Sequence, residues 1–236
     1  MMPPAKPVPR AKTVHTAAAF LVLASLLSGC ASVSAAAGHS TATVPPAPLV
    51  VSVGDSIMKG NGLTPPEAWP ALIAQNDGWT GVNLACNGEG FVAVGDPADC
   101  NGPFGDLAER VATLHPTTLL ISGSSNDFGI ANATLVAATE EALADYRRAL
   151  PTTQIIALST VWGDTAPPAQ LADVDEQVRD ATLRVRGVFV DIGQPLMGHP
   201  EWLQSDDVHP TAEGQRRLAA AISAALASRH LSLSQS

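Results

Sequence analysis

Five short apolar runs, separated by longer stretches of helical periodicity, constrain the fold more than any other feature of the sequence. They are "LVVSV" (49–53), "GVNLA" (81–85), "TTLLIS" (117–122), "QIIALS" (154–159) and "GVFVD" (187–191). They are near-continuous in Val, Ile and Leu instead of alternating with polar residues, the pattern of strands covered on both faces. Helix candidates fall between them near 66–76, 104–114, 133–149 and 168–184, and another near 211–228 closes the chain. In "ATLVAATEEALADYRRAL" the residues Leu135, Val136, Leu143, Tyr146 and Leu150 recur at helical spacing, while Glu140, Glu141, Arg147 and Arg148 can face water. Parallel strands need crossover connections, so this alternation predicts an α/β domain with a five-stranded parallel sheet between helices. Ligands of such sheets bind beyond the carboxyl ends of the strands, which says where to look for a site.

Beyond the first run stand Gly54, Asp55 and Ser56, and beyond the second Cys86, Asn87, Gly88, Glu89 and Gly90. The third run is followed by Gly123, Ser124, Ser125, Asn126 and Asp127, and the fourth by Trp162, Gly163 and Asp164. Before the last helix comes "SDDVHPTAEG", with Asp206, Asp207 and His209. A serine, a histidine, a carboxylate and amide donors at one sheet edge are the parts of nucleophilic acyl transfer. Of six histidines, His209 is the best placed as base. His15, His39 and His230 lie in the N-terminal segments and the tail, and His115 and His199 precede prolines in loops without a carboxylate at short spacing. Asp206, three residues before His209, can accept the Nδ1 proton and leave Nε2 to face Ser56. Asp207 is the weaker choice, because at two residues' spacing the side chain more often turns away; either aspartate can also cap a helix near Thr211. Donors for an oxyanion are the Ser56 amide, the Gly88 amide and the Asn126 side chain, although Asn126 also suits a plain turn. A glycine fits the second place if close approach of substrate leaves no room for a Cβ.

Together these blocks resemble the SGNH hydrolases, also called the GDSL family. They stand as "VVSVGDSI" with Ser56, "VNLACNGEGF" with Gly88, "GSSND" with Asn126 and "DDVHPTAEG" with Asp206 and His209. The resemblance spans residues 49 to about 225. It implies a three-layer α/β/α sandwich of flavodoxin-like type, ester hydrolysis through an acyl-serine, and neither metal nor cofactor. Departures are Ile57 where the family name has leucine, Ser124 where many members carry glycine, and Gly90 as an alternative oxyanion donor to Gly88. No G-x-S-x-G occurs, which sets the α/β-hydrolase elbow aside. The acids of "DVDEQVRD" sit on a helix-like stretch without histidine and read as a solvated face, not a metal site.

The N-terminal segment reads as an export signal. Residues 1–15 carry Lys6, Arg10 and Lys12 with no acid, and the apolar run after them is too short for the ~20 residues of a spanning helix. It ends in "LSGC", the lipobox pattern, which makes residues 1–29 a lipoprotein signal peptide and Cys30 the lipidated first residue. Residues 30–47 then form the lipidated cysteine and a small, polar, proline-ended tether, 48–229 the hydrolase domain and 230–236 a tail. The domain is expected outside the cytoplasm, held to the membrane only through its lipid. Cys86 and Cys100 remain as an even pair, expected to form a disulfide in an oxidising compartment; free thiols or metal ligands are the other readings. Removing residues 1–29 takes away three cations and moves the formal charge from −9 to −12. Such an acidic surface argues against nucleic acid or anionic lipid as partner.

Substrate choice is less legible. Phe128, Trp162 and Trp202 can wall an apolar or sugar-stacking site, or be ordinary core aromatics. There is no long apolar lid, so the expected substrate is a short-acyl ester, such as an O-acetyl group on envelope or environmental carbohydrate, and the protein a monomer. An O-acyltransferase would use the same residues. A non-catalytic envelope-binding lipoprotein would not need all of Ser56, Asn126, Asp206 and His209.

Overall fold

The structure is a computed structural model describing residues 47–231 and Leu233. The signal segment 1–29, Cys30 and all but the last residue of the tether lie outside the described residues. Five parallel strands form one sheet in the order β2-β1-β3-β4-β5, made of β1 (Leu49–Val53), β2 (Thr80–Asn83), β3 (Thr118–Ser122), β4 (Gln154–Leu158) and β5 (Val188–Val190). The α/β class, the strand number and the parallel direction are those expected. The order reverses between β1 and β3, and at such a switch point the loops leaving adjacent strands part to leave a crevice.

Helices cover both faces. Beyond β1 comes a short α1 (Ser56–Lys59), which the apolar pattern does not reveal, followed by α2 (Trp69–Asp77). The others are α3 (Ala108–Thr113), α4 (Asn132–Ala149), α5 (Ala169–Arg184) and α6 (Ala212–Ser228). Successive strand residues point to opposite faces. Val50, Leu120, Ile156 and Leu158 therefore pack with Trp69, Ile73, Leu218 and Ile222 of α2 and α6. Val51, Leu119, Ile121 and Ile155 pack with Val111, Leu143, Tyr146 and Val178 of α3, α4 and α5. The result is the three-layer sandwich, with a separate apolar core on each side of the sheet.

One strand departs from expectation. β2 is largely exposed, only Val82 being partly buried, although its run reads as covered on both faces. Its place at the sheet edge explains this, since it has a neighbour on one side only, β1. Buried amides hold the layers in register: Gln215, fully buried on α6, donates to the Ile57 carbonyl and accepts from the Trp69 amide, each at 2.9 Å. That links the turn after β1 to the helix after His209.

Candidate active site

The turn leaving β1 is built around a buried carboxylate. Asp55 caps α1, its Oδ1 accepting the Ile57 amide at 2.9 Å, and this places Ser56 at the first position of the helix. Four residues later Gly60 ends α1 at φ +78°, a left-handed conformation that glycine adopts freely. Ser56 Oγ lies 3.0 Å from His209 Nε2, across 153 residues of chain.

The histidine is held by its own loop. Asp206 Oδ2 lies 2.7 Å from His209 Nδ1, while Oδ1 accepts the amides of Val208 and His209 at 3.1 and 3.0 Å. The His209 side chain, then these two amides, hold the Asp206 carboxyl well below the usual carboxylate range, so it stays charged and fixes the proton on Nδ1. Nε2 is thereby left as an acceptor facing the serine. Asn61 Nδ2 lies 3.4 Å from Nδ1, a donor facing a donor, too long to compete with Asp206. Gln204 braces the loop, its Nε2 donating to the carbonyls of Asn61 and Pro210 at 2.7 and 2.9 Å. Asp207 turns away, with φ +57°, and α6 is capped by Thr211 itself, whose hydroxyl accepts the Gly214 amide at 3.2 Å. Neither aspartate serves as that cap.

The expectation that His199 lacks a nearby carboxylate is corrected: its Nδ1 lies 2.9 Å from Glu201 Oε1, two residues on across Pro200. That ring is stacked at 3.6 Å on Trp202, which also carries Arg217 over its face, so Trp202 belongs to a separate cluster.

The second and third blocks form one network with the first. The Cys86 amide donates to the Gly54 carbonyl at 2.9 Å, and Cys86 is disulfide-bonded to Cys100, with Cα atoms 6.2 Å apart. Gly88 follows at φ +74°; a Cβ there would meet nothing closer than 3.9 Å. Its need for glycine therefore lies in the backbone conformation, not in crowding from neighbouring residues. At Gly90 a Cβ would come within 2.5 Å of the Asp127 carboxylate, and its N–H is already given to the Ala93 carbonyl at 3.0 Å. Among the described residues no acceptor takes the Gly88 or Ser56 amide. Asn126 gives one Nδ2 hydrogen to the Glu89 carbonyl at 3.0 Å, leaving the other.

Three residues that sequence reasoning gave no role complete the frame. Ser124, fully buried, caps the short turn Ser125–Asp127 and has its hydroxyl 2.9 Å from both Asp55 Oδ2 and the Glu89 carbonyl. One hydroxyl hydrogen serves one acceptor at a time; burial pushes the Asp55 carboxyl up, and in its protonated form it donates to Ser124 instead. Asp127, also fully buried, accepts the successive amides of Phe91, Val92 and Ala93 at 2.7, 3.0 and 2.9 Å. Glu89 has no exposed surface and no hydrogen-bond partner for either carboxyl oxygen; burial, then Asp55 and Asp106, push it up to about 8. Its oxygens group with the sulfurs of Cys86 and Cys100, but those sulfurs are spent on each other, which leaves no thiolate set for a metal.

Two clefts are lined by chain neighbours of the site residues. One, about 270 Å³, is lined by Ile57, Ser125, Trp162, Thr165 and Val208, with Asp164 and Asp207 also on its wall. The other, about 440 Å³, is lined by polar groups including Lys59, Asn61, Asn83, Asn87, Asp99 and Arg110. Lys59 and Asp99 form an ion pair there.

Residues 52–217 match the model of the GDSL-like Lipase/Acylhydrolase family, a span that holds Ser56, Gly88, Asn126, Asp206 and His209. The chain belongs to this family. No curated protein matches it in sequence. Among solved structures, this GDSL-like chain is similar to TesA (TM-score 0.59, 21% identity, 75% of this chain and 97% of that one). It is also similar to the salicylyl-acyltransferase SsfX3 from a tetracycline biosynthetic pathway (0.59, 21%, 80% and 56%). A third is a family two carbohydrate esterase from Clostridium thermocellum in complex with cellohexaose (0.59, 18%, 78% and 65%). The chain thus spans under two thirds of the last two proteins. At these identities the likeness is one of fold.

Proposed function

We propose that this GDSL-like protein hydrolyses carboxylic esters through an acyl-serine at Ser56. The supporting observation is the unbroken chain Ser56 Oγ to His209 Nε2 at 3.0 Å and His209 Nδ1 to Asp206 Oδ2 at 2.7 Å. Ser56 Oγ attacks the ester carbonyl carbon while His209 Nε2 takes its proton, and charged Asp206 stabilises the imidazolium that forms. The carbonyl oxygen becomes an oxyanion facing the Ser56 amide, the Gly88 amide and the remaining Asn126 hydrogen, each donor being worth about 2.7–4 kcal/mol in such sites. His209 then returns the proton to the alcohol oxygen as the C–O bond breaks. Water, deprotonated by the same nitrogen, attacks the acyl-serine and releases the acid. Neither metal nor cofactor takes part in these steps. The alcohol portion in this reading is a carbohydrate or similar polyol, in keeping with the polar groups of the larger cleft, and the protein is exported and anchored through Cys30. Acyl transfer to a sugar hydroxyl would run through the same acyl-serine.

The test is the purified domain with p-nitrophenyl butyrate. Wild type should give steady turnover, and Ser56→Ala should lose at least three orders of magnitude in kcat while keeping its melting temperature. Equal rates in the two proteins would remove the mechanism.

A further inference from the structure

The two clefts differ in chemistry, and the ester they receive has two ends that differ in the same way. The smaller cleft is lined by Ile57, Ser125 and Val208, the chain neighbours of Ser56, Asn126 and His209, and by Trp162. Val208 is 50% exposed although it neighbours His209, and Phe128, 48% exposed, packs edge-on against the Trp162 ring at 6.0 Å between centroids. Large apolar side chains left open around a reactive serine gain free energy when a ligand covers them. The larger cleft, on the β2 side, offers amides and charges instead.

We propose that the Trp162 cleft is the acyl site, that it takes an uncharged apolar acyl group of roughly four to eight carbons, and that Trp162 determines this choice. The proposal rests on the esterase reading of Ser56. Size points beyond acetyl. One methyl group, about the ~30 Å³ share of a water molecule, would fill only a small part of the cleft's 270 Å³ and leave Trp162 and Val208 in water. Charge narrows the class further, because Asp164 and Asp207 on the cleft wall repel an acyl group that carries a carboxylate of its own. Phe128 fixes the Trp162 ring from outside, and the indole N–H is 3.2 Å from the Thr165 hydroxyl, so the ring presents its face without a free polar atom. The polar alcohol is left to the opposite cleft.

Burying a methylene should raise kcat/KM about fourfold. With the leaving group held as p-nitrophenol, wild type should prefer the hexanoate ester to the acetate ester by at least tenfold. In Trp162→Ala that ratio should fall below threefold. In Val208→Asp, an exposed position where folding is not at stake, it should fall in the same direction. A wild-type ratio near one, or a ratio unchanged in both variants, would overturn the acyl site. Binding separates this result from failure of the esterase reading. Methyl hexanoate titrated into Ser56→Ala should shift the Trp162 Nε1–H resonance, assigned by its absence in Trp162→Phe, at concentrations where methyl acetate does not. No shift with either ester would count against the cleft even in a protein that turned over neither.

Discussion

At the residue scale, Asp206 and Asp207 show how much a backbone angle decides. The two are adjacent and chemically identical, yet Asp206 meets His209 Nδ1 at 2.7 Å and Asp207, at φ +57°, faces the apolar cleft. Asp206→Asn should therefore lower kcat by two to four orders of magnitude, because an amide does not hold the Nδ1–H tautomer, whereas Asp207→Asn should stay within about threefold. Steady-state kinetics on both variants checks this. Glu89 makes a second prediction. Its carboxyl is raised from 4.5 to about 8 in the folded chain, so below pH 4.5 both states are protonated and it has no effect. As pH rises from 4.5 to about 8 the unfolded chain gives up a proton that the folded chain keeps. Stability falls through that window, by on the order of 5 kcal/mol if no other group compensates, and then levels off. Glu89→Met, of similar volume and with no orphaned oxygens, should be more stable than wild type, with a gain that is larger at pH 9 than at pH 5. Urea titrations at the two pH values measure it, and an equal gain at both would show that Glu89 ionisation is not the source.

At the element scale, the loop from Cys86 to Cys100 is the part of the site with least regular structure and most restraint. The disulfide closes it, Asp127 gathers three of its amides, and its Glu89 carbonyl receives Asn126. Closing a 15-residue loop contributes about 3 kcal/mol in the chain-entropy model. Cys86→Ala with Cys100→Ala should then lower the melting temperature by roughly 6–12 °C. It should also lower kcat more than it raises KM, since Gly88 lies two residues from Cys86 and in the proposed mechanism its amide faces charge that exists only in the transition state. A calorimetric scan with parallel kinetics separates the two effects. The sequence made the cysteine pairing legible through number and compartment. It did not reveal Asp127, because nothing in "GSSND" says that a carboxylate will meet amides thirty-odd residues earlier. Gln204 and Gln215 were hidden for the same reason: each makes a contact across most of the length of the domain, Gln204 to Asn61 and Gln215 to Ile57.

At the scale of the whole molecule, one parallel sheet with a core on each face brings four blocks from residues 54 to 209 to one edge. Among the described residues no helix is long and apolar enough to cross a membrane. The proposed attachment is through the lipid on Cys30. Cys30→Ala should move the protein from the membrane fraction to the soluble extracytoplasmic fraction without changing its rate on p-nitrophenyl butyrate. Immunoblots of the fractions decide this, and a variant that remained in the membrane fraction would mean that another segment anchors it.

The strands, most of the helices and the candidate group Ser56, Asp206 and His209, which the fold brings within hydrogen-bond reach, were legible in the sequence, because periodicity, turn chemistry and short spacing are local properties of a chain. β2 was misread as fully covered because a run of apolar residues does not encode whether its strand lies at the centre or the edge of a sheet. The engagement of the Gly90 amide by Ala93, the part played by Ser124, and the presence of an apolar and a polar cleft belong to the tertiary structure. Each depends on which distant groups arrive at 3 Å, and that is fixed only when both cores close and the strand ends are brought together.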